Sequence, residues 1–251
     1  MKWKIYLGIV VLVILGIAAA FLSGKLIKPE ILNPSEVEVL QKKIEKTGNK
    51  YEAELIYSEE KYGNKIEIYV MIKYKIGEKE YSGMFLPEAR KALDWIKNNT
   101  KEETIFLCLP EYRWMLKGYA ERNTTVSEET IINAAGIAEN KLPEEIRDAT
   151  SALITNNTKE IINIMKKYGA SYVFVFAPMN ATEDYYWEIN RVFERAGLDP
   201  TKYIESLGIP NFVFTDLGSK TMIARFIADI NTEPFELVYS DEYVKIYQLK
   251  Q

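Results

Sequence analysis

From Ile5 to Leu22 the chain runs IYLGIVVLVILGIAAAFL, eighteen residues without a charge. At about 1.5 Å per residue, a helix of that length spans roughly 27 Å, a short but adequate crossing of a hydrocarbon core. Lys2 and Lys4 precede the run and Ala18, Ala19 and Ala20 lie near its end, so a cleaved signal peptide is the competing reading. The run exceeds the usual apolar region of a signal peptide, about 7 to 15 residues, which favours an uncleaved transmembrane anchor over residues 1–24. Residues 24–48 are polar and contain Pro29 and Pro34, and residues 35–46 read as a helix, which makes 25–49 a stalk.

Residues 51–57 and 65–74 alternate apolar and polar positions, and Gly77 and Glu78 turn the second run into a third at 79–85. An antiparallel β meander over residues 50–86, covered on one face, is the expectation. Beyond Pro87, helical periodicity alternates with two short apolar runs, TIFLCL at 104–109 and SYVFVF at 171–176. Such runs suit buried strands at the centre of an α/β layer. Residues 158–168 place Ile161, Ile164, Met165 and Tyr168 on one helical face before Gly169. Residues 183–196 do the same with Tyr185, Ile189, Val192, Phe193 and Ala196 before Gly197. FELVYS and YVKIYQL, separated around Asp241 and Glu242, close the chain as a hairpin. The fold class is therefore α/β: one N-terminal transmembrane helix, an antiparallel β meander, then a mixed α/β domain over 87–251 with central buried strands. No repeat or low-complexity tract interrupts it.

With 251 residues, 47% hydrophobic and 27% charged, the chain has enough apolar surface for a sizeable core. A net charge of −4, a pI near 5.3 and no Lys/Arg cluster set nucleic acid aside as a partner. The absence of histidine removes Ser/His/Asp triads, Cys/His pairs, His-ligated zinc and imidazole acid/base chemistry together. Cys108 is the only cysteine, so no internal disulfide forms, and its place in an apolar run reads as a small core residue. Scarce Cys, His and Gln beside abundant Lys, Glu and Ile resemble the composition of thermophile proteins and point to an archaeal source.

Lys2 and Lys4 favour a cytoplasmic N-terminus, although Lys25 and Lys28 on the other flank weaken the asymmetry. Asn-x-Ser/Thr sequons at Asn98, Asn123, Asn156 and Asn180 exceed the roughly 1.4 expected by chance. Asn33 is spoiled by Pro34. The excess places the domain on the extracytoplasmic side of a cell membrane, with those four asparagines as candidate glycosylation sites.

The acidic pairs Glu128/Glu129, Glu144/Glu145 and Glu183/Asp184 fall in the first turns of expected helices, where the macrodipole favours anions, and this explains them without catalysis. Glu102/Glu103 is a fourth pair without such a helix. Gly218, Ser219, Lys220 and Thr221 fail as a phosphate loop, because Ser219 separates Gly from Lys and no earlier Gly stands at the required spacing. No G-x-G-x-x-G or G-x-S-x-G occurs. The expectation is no cofactor, no metal and no catalytic residue.

The segment KALDWIKNNTKEETIFLCLPEYRWMLKGYAERNTTV, from Lys91, resembles the region around the W-W-D-Y-G motif in the catalytic subunit of oligosaccharyltransferases. ALITNNTKEIINIMKKYGASYVFV resembles the helix and strand that follow in that family, and KTMIARFIADINTEPFELVYSDEYVKIYQL the end of its archaeal members. The resemblance implies that residues 87–251 form the family's soluble C-terminal α/β domain. In the family the motif recognises the Ser/Thr hydroxyl of the acceptor sequon through indoles and a carboxylate. The matching positions here are Leu109, Pro110, Glu111, Tyr112 and Arg113, so Tyr112 is kept, Glu111 is a near equivalent and both indoles are gone. A second family element, a Lys with Met or Ile on a helix near the acceptor, finds Lys220, Met222 and Ile223 as its nearest matches. Arg113 in place of a Gly is expected to pair with Glu111 and to close the segment on its own side chains. The family's catalytic carboxylates and divalent metal belong to a many-helix membrane portion, whereas one span is visible here. The resemblance thus implies a non-catalytic accessory or binding module whose partners are the membrane and another envelope or oligosaccharyltransferase-related protein. The alternatives are a structural or interaction protein of the envelope, and part of a glycosyltransferase completed by a separate membrane subunit.

Overall fold

The computed structural model describes residues 37–47, 50–62, 65–134 and 141–250. The apolar segment read as the anchor lies outside them. Among the described residues no helix is long and apolar enough to cross a membrane. The chain divides into two compact units, residues 1–40 with 60–67 and residues 41–59 with 68–251. The described part of the first is the strand stretches 37–40, 60–62 and 65–67. The core and the candidate site belong to the second.

Four strands, β1 (Val37–Lys46), β2 (Glu54–Tyr62), β3 (Lys65–Ile76) and β4 (Lys79–Met84), form a sheet in that order. β3 and β4 run antiparallel, with Ile76 opposite Lys79 across a turn in which Gly77 has φ 61°. That positive φ is the reason the turn takes glycine. Along β3, Val70, Ile72 and Tyr74 are buried while Met71 is exposed, so one face is covered as the alternation implies. β1 corrects the helix expected over residues 35–46. Val37, Val39 and Ile44 are β-branched, and pairing with β2 overrides a weak helical preference in a segment without a continuous apolar helical stripe.

The second sheet has the order β10-β11-β7-β5-β6, from β5 (Ile105–Leu107), β6 (Asn123–Thr124), β7 (Tyr172–Phe176), β10 (Phe235–Ser240) and β11 (Val244–Leu249). β5 pairs parallel with β6 and β7, and β11 pairs antiparallel with β7 and β10, so the sheet is mixed. The two apolar runs do lie side by side at its centre, with Phe106, Leu107, Val173 and Phe174 essentially inaccessible. The longer helices are α1 (Arg90–Asn99), α3 (Glu144–Ile154), α4 (Thr158–Tyr168) and α5 (Glu183–Arg195), and α2 (Glu128–Ala134) and α6 (Met222–Ala228) are short. A small hairpin of β8 (Ile204–Gly208) and β9 (Asn211–Phe214) stands apart from the main sheet's hydrogen bonding.

Local chemistry explains the two best-defined helices. Asn157 caps α4 by accepting from the Lys159 amide, and Gly169 ends it at φ 68°. Thr182 caps α5 by accepting from the Tyr185 amide at 3.2 Å. Ile189, Val192 and Phe193 of α5 are buried, each side chain contributing about 1.5–3 kcal/mol. Two glycines join the meander to the layer. A Cβ on Gly83 would lie 2.0 Å from Trp114 Cδ1, and one on Gly118 would lie 2.6 Å from the Tyr74 ring.

Candidate functional site

The segment Leu109–Arg113 leaves the carboxyl end of β5 as a 3-10 turn, Pro110–Tyr112, and continues through Arg113 and Trp114 into a single π turn, Met115–Tyr119. Pro110 suits the first position of the turn, where no backbone donor is needed. Leu109, Pro110, Tyr112 and Arg113 are all buried; only Glu111 keeps part of its surface. The Tyr112 ring packs on Phe174 and Phe176 of β7, with centroids 5.7 Å away in each case.

The expected Glu111–Arg113 pair is not made. Residues two apart in a tight helical turn point to different sides. Glu111 instead pairs with Arg195, from the last turn of α5. Arg113 donates from Nη1 to the Pro110 carbonyl at 2.8 Å and lies on the Trp114 ring, 3.1 Å from its centroid. Its Nε and Nη2 have no hydrogen-bond partner. Burial pulls the guanidinium down to about 10, against the opposing pull of Tyr74, Glu128, Cys108 and Glu111.

Next to this turn lies a group that the sequence reading passed over. Tyr185 and Glu188 of α5 lie beside Tyr112 and Glu111: Tyr112 feels Glu188, Tyr185 and Glu111, Glu188 feels Glu111 and Tyr112, and Tyr185 feels Glu188. Glu188 Oε1, Glu111 Oε2 and the Tyr112 and Tyr185 hydroxyls are buried, and none completes a hydrogen bond of good geometry. Burial, and then the neighbouring Glu111, push the Glu188 carboxyl up to about 7, while Tyr112, Arg191 and Arg195 pull the other way. Burial also raises Tyr112 well above the usual phenol range, with Glu188 adding to it. The signal was present in the sequence: Glu188 lies three residues after Tyr185 and beside Ile189, on the stripe that α5 turns inward.

The second predicted element divides. Lys220 is exposed at the end of a 3-10 turn, whereas Met222 and Ile223 are buried in the first turn of α6. The Met222 amide donates to the Thr155 carbonyl at 2.9 Å, and Thr221 caps the helix. Thr221 also lines a cleft of about 280 Å³ with Ser151, Thr155, Asn156, Glu160 and Tyr203. Cys108 is fully buried and its thiol is pushed up by burial, as a core residue requires.

Asn98, Asn156 and Asn180 are exposed, while Asn123 is half-buried in β6 and accepts from Lys117. Two of the sequon threonines serve the fold: Thr100 donates to the Ile96 carbonyl at 2.7 Å, and Thr182 caps α5. Among the described residues, no group of three or more carboxylate or thiol side chains is placed to hold a metal ion.

No family model matches the sequence, and no curated protein matches it. Among solved structures, the chain resembles the C-terminal globular domain of an oligosaccharyltransferase from Archaeoglobus fulgidus. That match has 19% identity and a TM-score of 0.48, over 66% of this chain and 99% of the other. A second structure of such a domain from the same organism gives 17% identity and a TM-score of 0.43, over 66% and 96%. The archaeal oligosaccharyltransferase AglB from Archaeoglobus fulgidus, in complex with an inhibitory peptide and a dolichol-phosphate, gives 15% and 0.44. That match covers 64% of this chain and 24% of the enzyme, so the chain spans about a quarter of its length.

Proposed function

We propose that the protein is a non-catalytic, oligosaccharyltransferase-like binding module, held by residues 5–22 on the extracytoplasmic side of the cell membrane and acting with another envelope protein. One observation carries the reading. The five positions that match the acceptor-reading motif are taken up by the protein itself: Leu109, Pro110, Tyr112 and Arg113 are buried, and Glu111 is held by Arg195. A site that reads a hydroxyl needs accessible donors and acceptors; here both indoles are missing, and the polar atoms that remain at Tyr112 and Arg113 are buried, which removes most discrimination. The alternative of a structural or interaction protein draws on the β8–β9 hairpin, where Leu207, Ile209 and Val213 are exposed at 62%, 48% and 42%.

The test is a titration of the detergent-solubilised full chain with peptides carrying Asn-x-Thr or Asn-x-Ala, read by calorimetry. Both are expected to bind equally, at about millimolar affinity or weaker, because use of one hydroxyl would appear as a gap of order 1 kcal/mol. A preference for the Thr peptide that vanishes in Glu111→Ala would instead favour a transferase completed by a separate membrane subunit. For topology, protease added to sealed spheroplasts is expected to digest the domain and spare a small N-terminal fragment.

A further inference from the structure

Glu111 has its cation in Arg195; Glu188, on the same helix as Arg195, is the second carboxyl of the cluster, and burial together with Glu111 outweighs the pull of Arg191 and Arg195 on it. Two ionised carboxylates held close in a buried site repel, and the strain is relieved when one keeps a proton. The surroundings leave few other ways to relieve it. The groups that act on Glu188 are Glu111 and Tyr112 from the 110–112 turn, and Arg191 and Arg195 from its own helix; Tyr185 in turn feels Glu188. β7 and β9 contribute phenylalanines: Phe176 and Phe212 flank Tyr185, and Phe174 flanks Tyr112. α3 packs on α5, but its carboxylates are engaged elsewhere, Glu144 with Lys167, Glu145 with Ser127 and Thr130, and Asp148 with Lys167 and Tyr168, and its Arg147 is exposed. Two tyrosyl hydroxyls and one oxygen from each of Glu111 and Glu188 are thus buried in one cluster without finished hydrogen bonds.

We propose that Glu188 is a proton-operated latch: protonated, it lets the Glu111–Tyr112 turn dock against α5, and ionised, it drives the turn off and frees the Glu111 carboxylate for a partner. The proposal rests on the functional reading above and adds its regulation. A protonated Glu188 is one O–H donor among acceptor oxygens, whereas its ionised form is a second negative charge beside Glu111. The proton sits on a Glu188 carboxyl oxygen and leaves to water when the turn opens. Buried carboxyls of this kind respond within the physiological range, where histidine would otherwise be used, and this chain has none.

The latch is tested on the detergent-solubilised full chain by hydrogen exchange over residues 105–119, corrected for the intrinsic pH dependence of exchange, and by the carboxyl signal of carbon-13-labelled glutamate. Opening of that segment is expected to be roughly tenfold or more frequent at pH 8 than at pH 5.5, with one carboxyl titrating near pH 7. Both features should vanish in Glu188→Gln, which keeps the shape and cannot ionise. Exchange that ignores pH, or a pH response unchanged in Glu188→Gln, overturns the proposal. If that variant does not fold, Tyr112→Phe serves: it removes a group that favours the ionised form, so the Glu188 midpoint should move upward, and an unmoved midpoint overturns the latch. Exchange suppressed by calcium at constant pH overturns it too, in favour of a cation site. Neither readout uses a peptide, so a preference for Asn-x-Thr peptides would defeat the functional reading and leave the latch standing.

Discussion

Two arginines, nine positions apart, are both almost completely buried, Arg113 at 1% exposure and Arg122 at 3%, yet they live in opposite conditions. Arg122 uses all its donors: Nε reaches Thr100 Oγ1, Nη1 reaches the carbonyls of Ala120 and Glu121, and Nη2 those of Lys97 and Thr100. In doing so it closes the carboxyl end of α1, where unpaired carbonyls and the macrodipole both welcome a cation. Arg113 makes one hydrogen bond, leans on an indole and leaves two nitrogens without partners. The contrast separates a charge that builds the fold from a region whose polar groups exceed what the fold satisfies. Unfinished hydrogen bonds gather in the turn that contains Arg113 and in the face of α5 beside it, where a structural role alone does not explain them.

The contrast has measurable edges. Arg122→Met should cost about 3 kcal/mol in urea unfolding, because five donors and the carbonyls that receive them lose each other at once. A loss under about 1 kcal/mol would erase the distinction. Next comes pH. Glu188 has its folded value, about 7, above its ordinary 4.5, so folding favours the protonated form. Its stabilising contribution is complete below 4.5, is lost as pH rises through 7 and is flat beyond, amounting to up to about 3 kcal/mol. Glu45, lowered by Arg90, has the opposite sign and weakens the fold on acidification. Unfolding midpoints at pH 5 and pH 8 should therefore differ, and the difference should shrink in Glu188→Gln. Arg113→Met should change stability by less than about 1 kcal/mol in either direction, since it removes unpaired donors along with one hydrogen bond. Smallest of all is Lys220→Ala, at an exposed position, within about 0.5 kcal/mol in the same assay.

Much of the architecture could be read from pattern, because α4 and α5 each bury one face and end at a glycine or just before one, while β7 is an unbroken apolar run buried on both faces. Gly169 at φ 68° and the caps Asn157 and Thr182 are local devices that a sequence displays directly. β1 is not legible in the sequence, because a strand is stabilised by its neighbour and the pairing with β2 cannot be seen in residues 35–46 themselves. The candidate site was half legible. Glu111 and Tyr112 stood out through resemblance, but the partner of Glu111 comes from Arg195, eighty-four positions away, and only packing brings them together. Glu188 was hidden by its company: a single carboxylate on an apolar stripe looks like an interruption of the pattern until the residues opposite it are known.

Gly83 and Gly118 give the meander and the α/β layer a mechanical relation that neither has alone. Trp114 lies where a side chain at position 83 would be, and Tyr74 and Ile72 lie where one at position 118 would be. Each part therefore supplies a side chain that fills the other's missing one, like two halves of a toothed joint. Such a joint does not loosen gradually; it is either seated or separated. The meander strands from 68 to 84 and the layer beyond residue 87 should accordingly melt in one calorimetric transition, as a single cooperative body. One methyl group added at position 83 should act as a wedge, felt at Trp114 and through it at the guanidinium of Arg113.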